Sequence, residues 1–125
     1  MASHSTLEKA EALLRLPPDR RPTAFSGVAD SVICGVFRIA LRLGLRVPEE
    51  LSLFGFGDTA SGVSSPVPLC SVGESFDRRG ELAVELLLRG KCELAAVKPG
   101  YYLYPPEPVL RESCAPPPRS GVSRA

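Results

Sequence analysis

The sequence predicts an α/β fold in which a small, mostly parallel sheet is flanked by helices. Short apolar runs containing β-branched residues alternate with longer segments in which apolar residues recur at helical spacing. A strand, a helix and a second strand also follow one another between residues 23 and 57. That order is typical of a βαβ unit, whose two strands run parallel and whose crossover is right-handed.

The first helix is expected over residues 6–16, where leucine and alanine residues form one apolar stripe. Ser5 and Glu8 match the Ser-x-x-Glu capping box, in which each side chain accepts a hydrogen bond from a free backbone N–H at the helix start. Two prolines at positions 17 and 18 end the helix. A buried strand is then expected over residues 23–28, because this run is short, apolar and bounded by β-branched residues.

The crossover helix is expected over residues 31–43, and the strand after it ends in the stretch LSLFGFGDTA at residues 51–60. One face of this helix is apolar, whereas the opposite face carries small and polar residues that include Cys34, Gly35 and Arg38. This second face is either exposed to solvent or small enough for the close approach of another subunit.

The second half of the chain has a less regular pattern. Residues 61–68 are predicted to form a loop because they are rich in glycine, proline and serine. A short strand at 69–72 and a helix at 75–89 with two apolar stripes are expected next. A tyrosine-rich extended segment leads to a strand around 109–111, and the proline-rich tail at 116–125 is expected to be disordered.

Composition and charge argue against several classes of function. The formal net charge of +1 provides no long-range field for attracting nucleic acid or an anionic membrane. No stretch approaches the ~18 apolar residues of a membrane span, and no signal peptide is recognisable, so a cytoplasmic protein is expected. Four widely spaced cysteines without a C-x-x-C motif indicate small buried or half-buried residues, with no metal and no cofactor expected. They are Cys34, Cys70, Cys92 and Cys114.

The stretch LSLFGFGDTA raises the question of a nucleotide site, because Gly55, Gly57 and Ala60 fit a G-x-G-x-x-A variant of the dinucleotide-binding fingerprint. Such a site needs a helix that starts at the glycine turn, so that free N–H groups meet the pyrophosphate. The loop residues predicted after Ala60 argue against that helix. A strand end whose glycines permit a tight turn is the favoured interpretation.

No enzymatic activity is expected. The single histidine, His4, lies near the N-terminus, which argues against a Ser–His or Cys–His nucleophile. Asp30 and Asp58 follow the C-terminal ends of two strands expected to be neighbours, where open α/β sheets bind ligands, and could form an acid–base pair. Helix capping and turn formation also account for these aspartates and are favoured.

Several segments, in order and spacing, resemble the lac-repressor-like (LacI/GalR) family of bacterial transcription regulators. They are RPTAFSGVADSVICGVFRIALRLGLRVPEELSLFGFGDTA, PVPLCSVGESFDRRGELAVELLLRG and LYPPEPVLRESCAPPP, and together the match covers about residues 5–118. Members of this family carry an N-terminal helix-turn-helix DNA-binding domain and a two-lobed effector domain like the periplasmic sugar-binding proteins. A small molecule, usually a sugar or nucleoside, binds between the lobes and changes the affinity for operator DNA.

The resemblance implies an incomplete periplasmic-binding-protein-like (type I) effector domain over residues 1–115. Residues 1 to about 70 and the strand near Val109 would belong to the second lobe, and the helix at 75–89 to the first lobe. The chain contains nothing like the DNA-binding helices. The expected function is therefore that of an effector-sensing and dimerisation segment of a transcription regulator, which does not bind DNA alone. A free-standing small-molecule-binding or protein-interaction module is the alternative.

The resemblance also implies site residues. Those expected in the effector cleft are Ala29, Asp30, Gly57, Asp58, Glu74 and Phe76. The family often has Asn where this chain has Ala29 and Asp where it has Gly57, so two polar anchors for sugar hydroxyls are missing. The family's dimer surface corresponds to the helix at 31–43 and the loop at 57–68. It implies a homodimer through Cys34, Gly35, Arg38 and Ser65. Association through the apolar face of the helix at 75–89 is the alternative.

Overall fold

The computed structural model describes residues 4–73, 76–94 and 96–118. Within these ranges the chain forms four helices and six short strands. In chain order they are α1 (His4–Leu14), β1 (Ala24–Ser26), α2 (Asp30–Arg42), β2 (Ser52–Phe54), α3 (Ala60–Val63), β3 (Ser71–Gly73), α4 (Phe76–Arg89), β4 (Ala96–Lys98), β5 (Tyr101–Tyr102) and β6 (Glu107–Val109). None of the described helices is long and apolar enough to cross a membrane.

The predicted βαβ unit is confirmed by β1, α2 and β2. The two strands pair in parallel, with Phe25 opposite Leu53. Isolated parallel bridges then connect the end of β2 to β3, from Phe54 to Cys70 and from Gly57 to Gly73. β6 pairs antiparallel with the other edge of β3. Three parallel strands and one antiparallel strand therefore lie side by side.

The hydrophobic core lies where α1 and α2 cover this sheet. Its buried members lie in both helices, in and just before β2, and just before β3. They include Leu14, Ile33, Phe37, Ala40, Leu51, Leu53 and Leu69. Gly35, in the middle of α2, allows α1 to approach closely, because a Cβ at this position would lie 2.9 Å from Leu7 Cδ2. This contact explains a glycine in a helix interior, where it costs about 1 kcal/mol relative to alanine.

α1 begins earlier than the sequence predicts. The helix starts at His4, so Ser5 lies inside it and is not the N-cap of the predicted capping box. The side chain of Ser5 lies outside the described part of the structure. The helix ends at Leu14, three residues before the first of the two prolines that were expected to stop it.

The predicted loop at 61–68 is wrong at its start, because residues Ala60–Val63 form the one-turn helix α3. Thr59 precedes this turn in an extended conformation, and its backbone N–H donates to the Asp30 carboxylate at 2.6 Å. Asp30 is 29 residues away in sequence. Local propensity failed here because a tertiary hydrogen bond supports a segment of poor helix formers.

α4 is covered on one side only. Leu82 is buried, and Leu86 lines a cavity of about 200 Å³ together with Tyr102 and other residues of the following segment. On the other side, Leu87 and Leu88 are 84% and 80% exposed. Of the two predicted apolar stripes, the one that contains Leu82 is therefore the one that packs.

The C-terminal quarter differs from the prediction in detail. The tyrosine-rich segment forms an antiparallel hairpin of β4 and β5, although no strand was predicted over residues 96–98. The last strand, β6, lies at Glu107–Val109 and so begins two residues before the predicted one. Ser75, the first residue of the helix predicted at 75–89, and residues 119–125 of the predicted tail lie outside the described residues.

Candidate functional site

The C-terminal ends of β1, β2 and β3 meet at one edge of the sheet. The Asp30 N–H donates to the Phe56 carbonyl at 3.0 Å, which connects the segments that follow β1 and β2. The Gly57 N–H donates to the Val72 carbonyl at 2.9 Å, which connects β2 to β3. The structure therefore brings together Asp30, Gly57 and the neighbouring Asp58, as predicted, at the edge where open α/β sheets bind ligands.

Asp30 is the fully buried centre of this edge, with 0% of its surface exposed. One carboxylate oxygen, Oδ2, accepts hydrogen bonds from the Thr59 N–H at 2.6 Å and from the Thr59 hydroxyl at 2.9 Å. The other, Oδ1, accepts a hydrogen bond from the Ser71 hydroxyl at 2.7 Å. A buried carboxylate needs such donors to offset its desolvation. Asp30 therefore ties α2 to the turn after β2 and to β3.

Two glycines provide the space for this carboxylate. A Cβ at Gly55 would lie 2.0 Å from Asp30 Oδ1, and a Cβ at Gly62 would lie 2.9 Å from Asp30 Oδ2. Neither glycine has a positive φ angle, so the requirement here is for space and not for a special backbone conformation. Gly55, which belongs to the apparent nucleotide-binding fingerprint, is thus explained by the packing of Asp30.

Asp58 is held in a different way. Its φ angle of 49° is in the left-handed region, which aspartate tolerates better than most residues. Its carboxylate Oδ1 lies 2.6 Å from Arg111 Nη1. Among the described residues this buried oxygen has no aligned hydrogen bond, so the contact is a close ion pair. The contact with Asp58 raises the pKa of the Arg111 guanidinium, against the opposing effect of burial.

The two aspartates therefore have separate structural partners. Asp30 accepts hydrogen bonds from Thr59 and Ser71, whereas Asp58 pairs with Arg111. A general acid or base must reach a proton on a bound substrate, and the Asp30 carboxylate is closed off from solvent. The geometry favours the predicted structural interpretation over an acid–base pair, with one difference. Asp30 does not cap its own helix, because the N-cap of α2 is Ala29 and makes no side-chain capping bond.

The remaining predicted cleft residues offer few polar groups. Ala29 and Gly57 lack hydrogen-bonding side chains. Phe76, the first residue of α4, is 61% exposed, and the Arg79 guanidinium lies 4.7 Å from the centre of its ring. Glu74 lies outside the described residues.

Two exposed apolar residues at the same edge were not predicted. Val28 follows the end of β1 and is 87% exposed, and Phe56 follows the end of β2 and is 37% exposed. The signal that could have indicated them is their position, since each lies two residues beyond the C-terminal end of a strand, at the edge where open α/β sheets bind ligands. Phe76, at the start of the helix after β3, is the exposed apolar residue that follows the third strand, and the three residues are called here the strand-end apolar group.

The predicted dimer residues border two depressions beside α2. Cys34, Arg38 and Ser65 line a cavity of about 360 Å³ between α2 and α3. The Cys34 thiol donates to the Ser61 carbonyl at 3.4 Å, and burial raises the pKa of this thiol. Gly35 instead borders a groove of about 680 Å³ between α1 and α2, where it contacts Leu7 of its own chain. The small size of Gly35 is thus explained by packing within the chain.

No three His, Cys, Asp or Glu side chains among the described residues are grouped so that they could hold a metal ion. All four cysteines are free thiols. The charged side chains described at the candidate site are those of Asp30, Asp58 and Arg111.

Comparison with known proteins places this arrangement in a family. Residues 1–114 match the periplasmic binding protein-like domain. The chain belongs to this family. A solved structure of the dimeric lac repressor with an 11-residue C-terminal deletion has a TM-score of 0.73 and 28% identity over 90% of this chain and 40% of that one. The lac repressor dimer bound to operator and the anti-inducer ONPF has a TM-score of 0.69 and 27% identity over 88% and 37% of the two chains.

A curated relative in sequence is the arabinose metabolism transcriptional repressor of Geobacillus stearothermophilus. It is 30% identical over 107 residues, which are 86% of this chain and 29% of the repressor. The predicted resemblance to the effector domain of lac-repressor-like regulators is thus confirmed. The chain spans about a third of the length of the curated relatives it matches. These relatives are transcription regulators and not enzymes, in agreement with the sequence prediction.

Proposed function

We propose that this periplasmic-binding-protein-like chain is an effector-sensing and dimerisation segment of a lac-repressor-like transcription regulator. The observation that carries the proposal is the edge formed by the C-terminal ends of three adjacent strands, where open α/β sheets bind ligands. Family membership supports it. We do not expect these 125 residues to bind DNA specifically on their own, because their formal net charge is only +1.

A gel-shift assay tests the part of the proposal that concerns DNA. The chain should bind operator fragments of its relatives no more tightly than unrelated DNA of the same length, at every salt concentration. Nanomolar binding that depends on the DNA sequence would contradict the proposal.

We further propose that the effector is recognised mainly through apolar contact. Both aspartates of the site are engaged by the protein itself, and Ala29 and Gly57 offer no side-chain donor or acceptor. Val28 and Phe56 are exposed at the same edge, and Phe76 is exposed at the start of the helix that follows β3. Covering such side chains contributes roughly 25 cal/mol per Å², and an aromatic ring favours a flat partner. A nucleoside, with its planar base, fits this surface better than a sugar that needs several hydroxyl partners.

Calorimetric titration with a panel of nucleosides and sugars tests this effector class. Nucleosides should bind more tightly than sugars, and Phe76→Ala should weaken binding on the order of tenfold, which corresponds to about 1.4 kcal/mol. Leu13→Ala removes an exposed apolar side chain of α1 and serves as the matched control, which should leave the affinity unchanged. Tighter binding of sugars, or an unchanged affinity in Phe76→Ala, would contradict the proposed effector class.

Self-association is proposed through the surface beside α2. Cys34, Arg38 and Ser65 border one cavity there, and the solved lac repressor relatives are described as dimers. We expect a dimer by light scattering at tens of micromolar protein, a range typical of modest interfaces. Arg38→Glu should dissociate it, whereas Arg15→Glu, the same charge change just after α1, should not. A monomeric wild type, or a dimer that is insensitive to Arg38→Glu but lost in Leu87→Glu, would rule out this surface.

A further inference from the structure

Two of the four cysteines, Cys70 and Cys114, lie where the C-terminal segment passes the start of β3. The Arg111 N–H donates to Cys70 Sγ at 3.1 Å, and the Cys70 thiol donates to the Arg111 carbonyl at 3.3 Å. Three residues further on, the Cys114 thiol donates to the Leu53 carbonyl at 3.2 Å. Cys70 is buried and Cys114 is half-buried.

The Ser113 hydroxyl makes hydrogen bonds close to both thiols. It accepts a hydrogen bond from the Cys70 N–H at 2.8 Å and donates one to the Leu53 carbonyl at 2.5 Å. That carbonyl is also the acceptor for the Cys114 thiol. Ser113 is fully buried, and its hydroxyl ties the Cys70 backbone to the segment that contains Cys114.

The thiols also act on each other electrostatically. Burial raises the pKa of the Cys114 thiol, and the adjacent Cys70 raises it further. Burial alone would raise the pKa of the Cys70 thiol as well. The hydrogen bond from the Arg111 N–H, together with the neighbouring Ser113 and Cys114 side chains, outweighs burial, and the pKa of Cys70 is lowered. Cys70 is therefore the better nucleophile of the two, and Cys114 is the more accessible to solvent.

We propose that Cys70 and Cys114 form a reversible oxidation site at which hydrogen peroxide converts the two thiols into an intramolecular disulfide. Peroxide transfers one oxygen to the accessible Cys114 sulfur, which gives a sulfenic acid and one water molecule. The Cys70 thiolate then attacks that sulfur, the S–S bond forms, and hydroxide leaves and takes up the proton released by Cys70 to become a second water molecule. The two thiols lose two electrons and two protons, and one peroxide molecule is reduced to two water molecules.

The disulfide would act on the candidate effector edge through Arg111. The backbone N–H of Arg111 donates to the Cys70 sulfur, and the Arg111 side chain pairs with Asp58. A cross-link between β3 and the C-terminal segment would also close a loop that contains α4 and the β4–β5 hairpin. Closing a long loop restricts the unfolded chain more than the folded one.

The other two thiols provide internal controls. Cys34 donates to the Ser61 carbonyl beside α2, and Cys92 lines the cavity next to α4. Neither takes part in the Ser113 arrangement in the described part of the chain. Under the proposal they should react with iodoacetamide before and after peroxide treatment.

The experiment is peptide mapping of the peroxide-treated chain after alkylation under non-reducing conditions. We expect the mass of the intact chain to fall by that of two hydrogen atoms. The peptide map should show one cross-linked peptide pair, containing Cys70 and Cys114, and dithiothreitol should reverse the cross-link fully. Cys92→Ser should keep the cross-link, and Cys114→Ser should abolish it. The oxidised wild type should melt roughly 5–15 °C higher than the reduced form, and Cys114→Ser should show no such rise.

Three results would overturn the proposal. They are a cross-link between a different pair of cysteines, an intermolecular disulfide in place of the internal one, and oxidation of Cys114 to sulfinic or sulfonic acid without a cross-link. Because Cys114 is half-buried, its serine variant should fold. Should it not fold, the wild-type peptide map alone still distinguishes these outcomes.

Discussion

Replacing Asp30 with alanine tests how much the buried carboxylate stabilises the sheet edge. The substitution removes the acceptor for two donors, the Thr59 N–H and the Ser71 hydroxyl. The Thr59 hydroxyl is less affected, because it keeps a 2.9 Å contact with the Ser61 hydroxyl. Each buried donor that loses its partner costs about 1–3 kcal/mol. The free energy of unfolding should therefore fall by about 2–6 kcal/mol.

Asp30→Asn separates hydrogen bonding from charge. The asparagine oxygen can still accept from Thr59, and its amide can donate to the Ser71 hydroxyl, since a hydroxyl both donates and accepts. We therefore expect the asparagine variant to lose only about 1–2 kcal/mol. Asp19→Ala removes an exposed aspartate and serves as the control, with a change within about 0.5 kcal/mol.

Urea denaturation followed by circular dichroism measures all three variants. The m-value should stay constant, so that a shift of the midpoint reports stability directly. A loss below about 1 kcal/mol in Asp30→Ala would refute the structural role. A loss in Asp30→Asn as large as that in Asp30→Ala would show that the charge itself, and not the set of hydrogen bonds, stabilises this edge.

Two further predictions concern backbone space and acid stability. Gly55→Ala should destabilise the chain by about 1–3 kcal/mol, because the added methyl group crowds the buried Asp30 carboxylate. Gly80→Ala, in a helix with open space around the glycine, should instead stabilise the chain by about 0.5–1 kcal/mol. Equal effects of the two substitutions in urea denaturation would contradict the explanation. Hydrogen bonds from the side chain and backbone of Arg46 lower the pKa of the Glu50 carboxyl. The resulting stabilisation is present above the ordinary glutamate pKa of about 4.3 and is lost as the pH falls through the lower folded value. On acidification, the free energy of unfolding of Glu50→Gln should therefore fall less than that of the wild type, by a difference below about 1 kcal/mol. A pH–stability curve unchanged by the substitution would show that the Glu50–Arg46 pair contributes nothing.

The elements predicted correctly are those whose residues carry their own periodic signal. α2 has an apolar face that repeats at helical spacing and buries residues such as Ile33 and Phe37, and the strands on either side of it are short apolar runs. The strand Ala96–Lys98 was missed, because it is recognised only by its antiparallel pairing with Tyr101–Tyr102. α3 lacked a periodic signal, because its single turn depends on Thr59 meeting Asp30.

The sequence by itself determined the family, the βαβ order and the absence of polar side chains at Ala29 and Gly57, because each of these is a property of local residue types and their spacing. Only the tertiary structure decided what Asp30 does. Its hydrogen-bond partners Thr59 and Ser71 lie 29 and 41 residues away, and Gly55 is small because that carboxylate occupies the space. A hydrogen bond between distant residues leaves no periodic pattern in the chain. A fingerprint that looked like a nucleotide-binding turn is therefore explained by the burial of one aspartate.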